Sequence, residues 1–401
     1  MSRKHIASLS VLLVVTSAVC WPFLRDIGNV NANDDWQMRA ARHAAWRRAV
    51  LEHHQVPLRS PYFGGGYPTL ADPEDPFLSP SLLATLCLGE VAGLKVAAFG
   101  FYLAAGLGMY YLAFAVLGYG HLGALWAALL FALCGLLPSR HFSGNVEELQ
   151  YGLIPFVIAL FIQAKGAGRV VGCRLSVVGD SAAHPSPKTE NRKPRTPSFS
   201  PLALLVLLLL AMMMDGKLCW ASLALFLLLF SIVHGVRWDG PRVLFDAGWL
   251  KNLAIVLAVV ALLGMARILP VVEFLRAGGS GALFMRANTY SPVAIRAHST
   301  TSLALGLTSP MVDSASFAMA GLFFGPVALA AFLVCALARL REFARWLVLL
   351  LVFLWLSMAH NAPVDLFRVL QKLPVFSSMS MPAKYFDPFV VFVVCVVAGR
   401  L

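Results

Sequence analysis

The sequence predicts an all-α, polytopic membrane protein of about ten transmembrane helices, with a long polar first loop on one face. Three observations carry this. Charged residues make up 13% of the 401-residue chain and hydrophobic ones 59%, whereas a soluble domain holds about 25% charged residues. Long apolar runs recur along the whole chain, and in lipid such runs must be helices because only a helix satisfies its own backbone. The alternating polarity of an outer-membrane barrel is missing. The formal charge of +12 does not point to nucleic acid. The basic residues cluster between apolar runs, where topology and anionic headgroups account for them. The seven cysteines are scattered singly without CxxC or Cys/His ligand spacing, so neither a disulfide framework nor zinc is expected.

Taken in order, Ser2-Arg3-Lys4 precedes the apolar run Ile6–Leu24. A cleaved signal peptide is the competing reading, but Val19 before Cys20 is a poor lipobox residue and Trp21-Pro22-Phe23 suits an interfacial anchor, so the run reads as an uncleaved first span. That places the N-terminus in the cytoplasm and the next loop outside. The loop from Asn33 to Pro80 is polar, aromatic and glycine-rich together. Within it Gln37–Gln55 reads as an interfacial helix with a narrow stripe of Met38, Ala41, Ala45 and Ala49. Arg39, Arg42, Arg47 and Arg48 surround the stripe as an electropositive rim suited to an anionic ligand. Pro57–Pro68 is a rigid turn system with three consecutive glycines. It has no Walker lysine and no GxGxxG, so it is not a nucleotide loop. Asp72, Glu74 and Asp75 supply the oxygens a divalent cation takes, without specifying a geometry. No cofactor is required by any motif.

The next runs are Val96–Leu117, Leu122–Leu137 and Leu149–Ile162, the first two joined by a tight turn at Gly118–His121. Gly100, Ala104 and Gly108 recur at a spacing that lets helix backbones approach. Residues 1–164 thus form an N-terminal membrane module whose outer loop is 25–80. Residues 165–200 are basic and rich in Pro and Ser, the composition of a disordered cytoplasmic loop. Residues 201–401 form a second module with runs Pro201–Met214, Leu218–Val233, Asn252–Leu269, Ala318–Ala338, Trp346–Met358 and Phe389–Leu401. Arg237, Arg242 and Lys251, then Arg339, Arg341 and Arg345, fall on the cytoplasmic side. The outer face receives Arg25–Pro80, Pro138–Gln150, Pro270–Phe317 and Ala359–Pro388.

Chemistry concentrates at Asp34-Asp35-Trp36. A carboxylate at a bundle mouth can act as general base, and a Trp beside it offers a flat apolar face to a sugar ring. Two solvated loop acids are the competing reading. His141, Glu147 and Glu148 of the second outer loop read as capping or solvated groups, with one of them lining the site as the alternative; His298 and His360 read the same way. Asp215 can pair with Lys217.

Asp35, the Pro57–Pro68 run and Ala71-Asp72-Pro73 resemble the first outer loop of bacterial YfhO-like membrane proteins, which belong to the GT-C superfamily of glycosyltransferases. Those proteins carry an aspartate, a surface helix, a PLWNPY-type run with glycines, then an A-D/N-P step. Here Asn33-Asp34 replaces the usual glycines and Arg59-Ser60 stands where Trp-Asn is common. Gly106–Tyr110 resembles the family's second helix, and Gly144-Asn145 stands where Gly-His is frequent. Leu269-Pro270 with Glu273 and Arg276 is similar to an LP-x-x-E-x-x-R step. Leu373-Pro374, Phe376 and Met381–Phe386 are similar to an LP…F…VPSRF run, with Lys384 in place of arginine.

The resemblance implies a GT-C-like fold in the inner (plasma) membrane with an extracytoplasmic active face. It implies inverting transfer of a hexosyl or pentosyl group from a polyprenyl-phosphate carrier to a glycan, lipid or protein acceptor of the cell envelope. Asp35 becomes the general base. Trp36, Arg59, Tyr62, Asp72, Arg276 and Lys384 become the substrate-binding set, with Lys384 first, then Arg276 and Arg59, on the departing phosphate. A flippase of lipid-linked sugars and a non-catalytic scaffold of glycan assembly are the alternatives. A flippase favours charges at the bilayer midplane, and Arg267 near a helix end is one of few such charges. Family members usually continue beyond the point where this chain stops, on Leu401 inside an apolar run, so the resemblance also raises the expectation of a truncated form.

Overall fold

The computed structural model of the chain describes residues 3–30, 34–62, 66, 68–73, 75–165, 199–215, 219–239, 242–276, 324–373, 376, 379 and 382–401. The expected disordered loop lies outside the described residues except for Lys165, Phe199 and Ser200. So do Glu74, His298, Lys217 and most of the Pro270–Phe317 connection.

The helices are α1 (Arg3–Arg25), α2 (Asp34–Leu51), α3 (Ser81–Leu88), α4 (Glu90–Tyr111, extended by a π turn at Leu112–Val116), α5 (His121–Leu133) and α6 (Leu136–Phe142). A 3-10 helix at Val146–Leu153 runs into α7 (Ile154–Ala164), and α8 (Phe199–Met214) and α9 (Cys219–Gly235) follow. Next come α10 (Gly248–Leu263), α11 (Met265–Arg276), α12 (Pro326–Ala338), α13 (Leu340–Met358), α14 (Leu366–Leu370) and α15 (Pro382–Ala398). One departure from an all-helical chain is a hairpin between α9 and α10. In it β1 (Val236–Asp239) pairs antiparallel with β2 (Arg242–Phe245), Val236 opposite Phe245. Its Val, Trp and Phe are strand formers, and Gly240-Pro241 separates the two strands in sequence.

Among the described residues four stretches are long and apolar enough to cross a membrane: Arg3–Arg25, Glu90–Val116, His121–Phe142 and Val146–Ala164. A fifth exists if Gly248–Leu263 and Met265–Phe274, bent by 73°, count as one. The apolar runs Pro201–Met214, Cys219–Gly235 and Pro326–Ala338 form shorter helices, below the roughly 20 residues a perpendicular span needs. Among the described residues, helix length and apolarity alone thus account for four or five of the ten expected spans.

Burial sorts the bundle. In α15 nearly every position from Pro382 to Ala398 is buried, as expected of a helix that is apolar all round. It packs on α13, α12, α5 and α9, with Phe389 stacked on Phe226 at 4.8 Å. By contrast α1 exposes Ile6, Val14 and Trp21, the outward apolar face that lipid would cover.

Contacts also assign two ends. At one, the Phe23 ring of α1 lies 4.2 Å from that of His141 in α6, and Lys95 of α4 donates to the Asp26 carbonyl at 2.5 Å. At the other, the Tyr110 hydroxyl sits between His5 at 3.2 Å and His121 at 3.0 Å. Arg400 after α15 pairs with Glu342 of α13 there at 3.1 Å. The loops expected to share a face, 25–80, 138–150 and 359–388, do share the first end.

The surface helix differs from expectation. Its buried side carries Trp36, Arg39, Ala40, His43, Ala45 and Trp46, whereas Ala41 is exposed. Two tryptophans bury far more area than a line of alanines, so the helix turns its tryptophan side onto α3 and α4. Arg39 consequently leaves the expected electropositive rim and lies buried against Glu147 at 2.6 Å.

Candidate functional site

The site forms where the start of α2, the turn between α6 and the 3-10 helix, and the first turn of α15 meet. Gly144 makes that meeting possible. Its φ is +78°, and a Cβ there would come within 2.6 Å of the Trp36 nitrogen and 2.8 Å of the Asp35 Cβ. Above it the Trp36 indole donates to the His141 carbonyl at 2.8 Å. Gly144→Ala should therefore cost about 2–3 kcal/mol, combining left-handed strain with overlap against a backbone. A lowered thermal midpoint in detergent is the expected readout. An unchanged midpoint would show that α2 does not seat on this turn.

Asn145, the next residue, faces two groups from opposite ends of the chain. Its Nδ2 donates to Asp35 Oδ2 at 3.5 Å and its Oδ1 accepts from Lys384 Nζ at 3.4 Å. Both contacts are long, and catalytic hydrogen bonds commonly tighten only with substrate in place. The amide orientation is chemically consistent, with nitrogen towards the carboxylate and oxygen towards the ammonium. Ser143 Oγ, 3.0 Å from Nδ2, steadies the amide. Asp35 is half-buried.

Behind Asn145 lies a buried charge network. Lys384 Nζ reaches Glu148 Oε1 at 2.8 Å, with its side chain 17% exposed. Arg140 Nε lies 3.3 Å from Glu148 Oε2, both side chains fully buried. Arg140 also donates to the Lys384 carbonyl at 3.1 Å. One carboxylate thus holds two cations, and Lys384 is the one that points towards the exposed side. A few residues along α15, the buried Asp387 accepts from Ser357.

The remaining expected residues scatter. Trp36 is 1% exposed and packs against the His141 ring at 5.2 Å; it walls the site instead of presenting an open face to a sugar. Arg59 is exposed and lies along the backbone at Gly66. Tyr62 is exposed under the Arg48 guanidinium, 5.4 Å from its ring centre. Arg276 is exposed at the end of α11. Asp72 is buried, in a segment gripped from α11. Arg267 there donates to the carbonyls of Thr69 at 3.1 Å and Asp72 at 2.7 Å, and to those of Leu70 and Asp75.

Burial shifts two titratable groups in the loop. Burial, with Arg39 and Arg42 nearby, pushes the His43 imidazole down to about 3; the neutral ring bonds the Thr85 hydroxyl at 2.5 Å. Burial pushes the Asp75 carboxyl up to about 7, against the pull of Arg42 and Arg267. Between the usual 3.8 and about 7, the folded state keeps a proton that the unfolded chain releases. Stability at Asp75 is thus present at low pH and falls as pH rises through that window. Asp75→Asn should melt higher than the parent at pH 8, with the gap closing by pH 4; an equal gap at both would contradict this.

Among the described residues no group of three His, Cys, Asp or Glu could hold a metal ion. The main-chain carbonyls of Asp72 and Asp75 accept from Arg267, and Glu74 lies outside the described residues.

Sequence reasoning missed Arg140, Asn145, Glu147, Glu148, Asp387 and the grip of Arg267. The sequence reads Glu147 and Glu148 as capping or solvated groups, whereas both are buried in ion pairs. A signal was present: two adjacent acids between apolar runs, with Arg140 upstream, must find partners in a low dielectric. Comparison with family models, curated proteins and solved structures finds no match to this chain. The resemblance to YfhO-like proteins rests on the motifs alone.

Proposed function

We propose that this chain is a ten-pass membrane glycosyltransferase of GT-C type. In this reading it moves a sugar from a polyprenyl-phosphate carrier to an envelope acceptor, and the shorter apolar helices also cross the bilayer. The observation that carries the reading is the meeting of Asp35 and Lys384 on the two sides of one Asn145 amide. The acceptor oxygen attacks the anomeric carbon while the carbon–oxygen bond to phosphate breaks. Asp35 takes the hydroxyl proton, and the departing electron pair stays on the phosphate oxygen beside Lys384. The opposite end of the bundle gathers Lys4, Arg339, Arg341, Arg345 and Arg400, which favours a cytoplasmic placement for that end and an outer placement for the site.

A second reading has its own support. Arg140, Glu148 and Asp387 are fully buried within the bundle, and charges so placed suit a flippase of lipid-linked sugars. One assay separates the two. The full chain is reconstituted in vesicles with a panel of labelled polyprenyl-phosphate hexoses and pentoses and a membrane extract as acceptor. Label leaving the carrier supports transfer. Label changing leaflet while still on the carrier supports the flippase and rejects transfer. Neither event across the panel rejects both and leaves a scaffold.

A further inference from the structure

We propose that a groove at the far end of the bundle binds the phosphate of an anionic membrane phospholipid. It is a cavity of about 1000 Å³ between the start of α1, the turn before α5, and the ends of α12 and α15. Cations and hydrocarbon dominate its lining, with Ser8, Tyr119 and His121 between them. Lys4, Arg339 and Arg400 supply positive charge, and Val11, Leu122 and Leu125 supply hydrocarbon. Leu122 is 82% exposed and Val11 42%, an apolar surface that water would penalise and an acyl chain would cover. The two arginines are held at the groove and are not free-swinging. Glu342 bridges Arg339 at 3.3 Å and Arg400 at 3.1 Å. The Arg400 guanidinium also lies 5.1 Å over the Tyr119 ring, and the Tyr119 hydroxyl is anchored on the Val396 carbonyl at 2.8 Å.

Among the side chains, three cations against one bridging carboxylate leave the charge positive. Guanidinium forks match phosphate oxygens, and basic pockets between membrane helices take lipid headgroups. A soluble phosphate compound would leave the leucine wall uncovered. A zwitterionic lipid would bring a second cation to an already positive groove. Charge and hydrocarbon together select an anionic glycerophospholipid, with its phosphate between Lys4 and the two arginines and one chain against Leu122. This site is independent of the chemistry proposed for the other end.

Native mass spectrometry of the full chain in detergent, titrated with phosphatidylglycerol or phosphatidylcholine, tests it. Phosphatidylglycerol should be retained in preference. Lys4→Gln and Arg339→Gln should each weaken its retention about five-fold, the worth of one basic residue near a charged headgroup. Arg237→Gln, an exposed arginine of the hairpin, should leave it unchanged. Lys4 is exposed on the first turn of α1, so its variant reads out even if the arginine variant fails to fold. Equal retention of both lipids would overturn the proposal. So would wild-type retention by Lys4→Gln, or a loss as large in Arg237→Gln.

Discussion

Glu148→Ala should destabilise the fold by about 3–5 kcal/mol, the cost of leaving buried cations without their counter-charge. The argument rests on burial at three positions. Arg140 and Glu148 have no exposed side-chain area, and Lys384 keeps only 17%. Removing the carboxylate strands Arg140 inside the bundle and releases Lys384 from its 2.8 Å contact. The 3-10 helix should loosen with it, because Glu148 itself sits in that turn. Glu148→Gln should fall between the parent and the alanine variant, since the amide oxygen can still accept from one of the two cations while its NH2 group faces the other and no counter-charge remains. Thermal unfolding of the three proteins in one detergent measures the order. An alanine variant as stable as the parent would mean that the cations find water, and that the network contributes little.

Arg267→Ala should release the segment 69–75 from the bundle. A single 3% exposed guanidinium serves four main-chain carbonyls, those of Thr69, Leu70, Asp72 and Asp75. Hydrogen bonds from a charged donor contribute about 1.5–3 kcal/mol each, so losing four outweighs any single contact elsewhere in the loop. Lysine should rescue little, because an ammonium lacks the planar fork that reaches four acceptors. Loss of Arg267 also removes a cation that lowers the Asp75 pKa, so the buried carboxyl should hold its proton to higher pH. Hydrogen exchange across 69–75 is the direct readout, with fast exchange expected in Arg267→Ala and protection in the parent. Equal protection in both would show that the segment is held by other contacts.

The parts legible in the sequence were those written in hydropathy. The apolar runs became helices, the loops at 25–80, 138–150 and 359–388 gathered at one end, and the Gly118–His121 turn formed. Span number was less legible. Runs such as Pro326–Ala338 form helices of 13 residues, and periodicity does not say how a short helix meets a bilayer. Side-chain partners were less legible still. The ion pair of Arg39 with Glu147 and the sharing of Glu148 between Arg140 and Lys384 join segments far apart in the chain, and local pattern carries no record of them. The alanine stripe of α2 misled because small residues mark a face by spacing, while tryptophan claims it by area. Asn145 was visible only as a departure from Gly-His, and its two contacts depend on how α2 and α15 dock. Asp35 entered by its place at the head of the loop and by motif resemblance, Lys384 by resemblance alone, and the fold places both on one amide.

The most direct test of the central claim is the single-turnover rate of sugar transfer by Asp35→Asn beside the parent. The full chain is used in vesicles with the labelled polyprenyl-phosphate donor that the parent accepts. Removing a general base should lower that rate by about 10²–10⁴-fold, with the variant still folded and its donor binding little changed. A variant that transfers sugar as fast as the parent would contradict the claim that this carboxylate takes the acceptor proton.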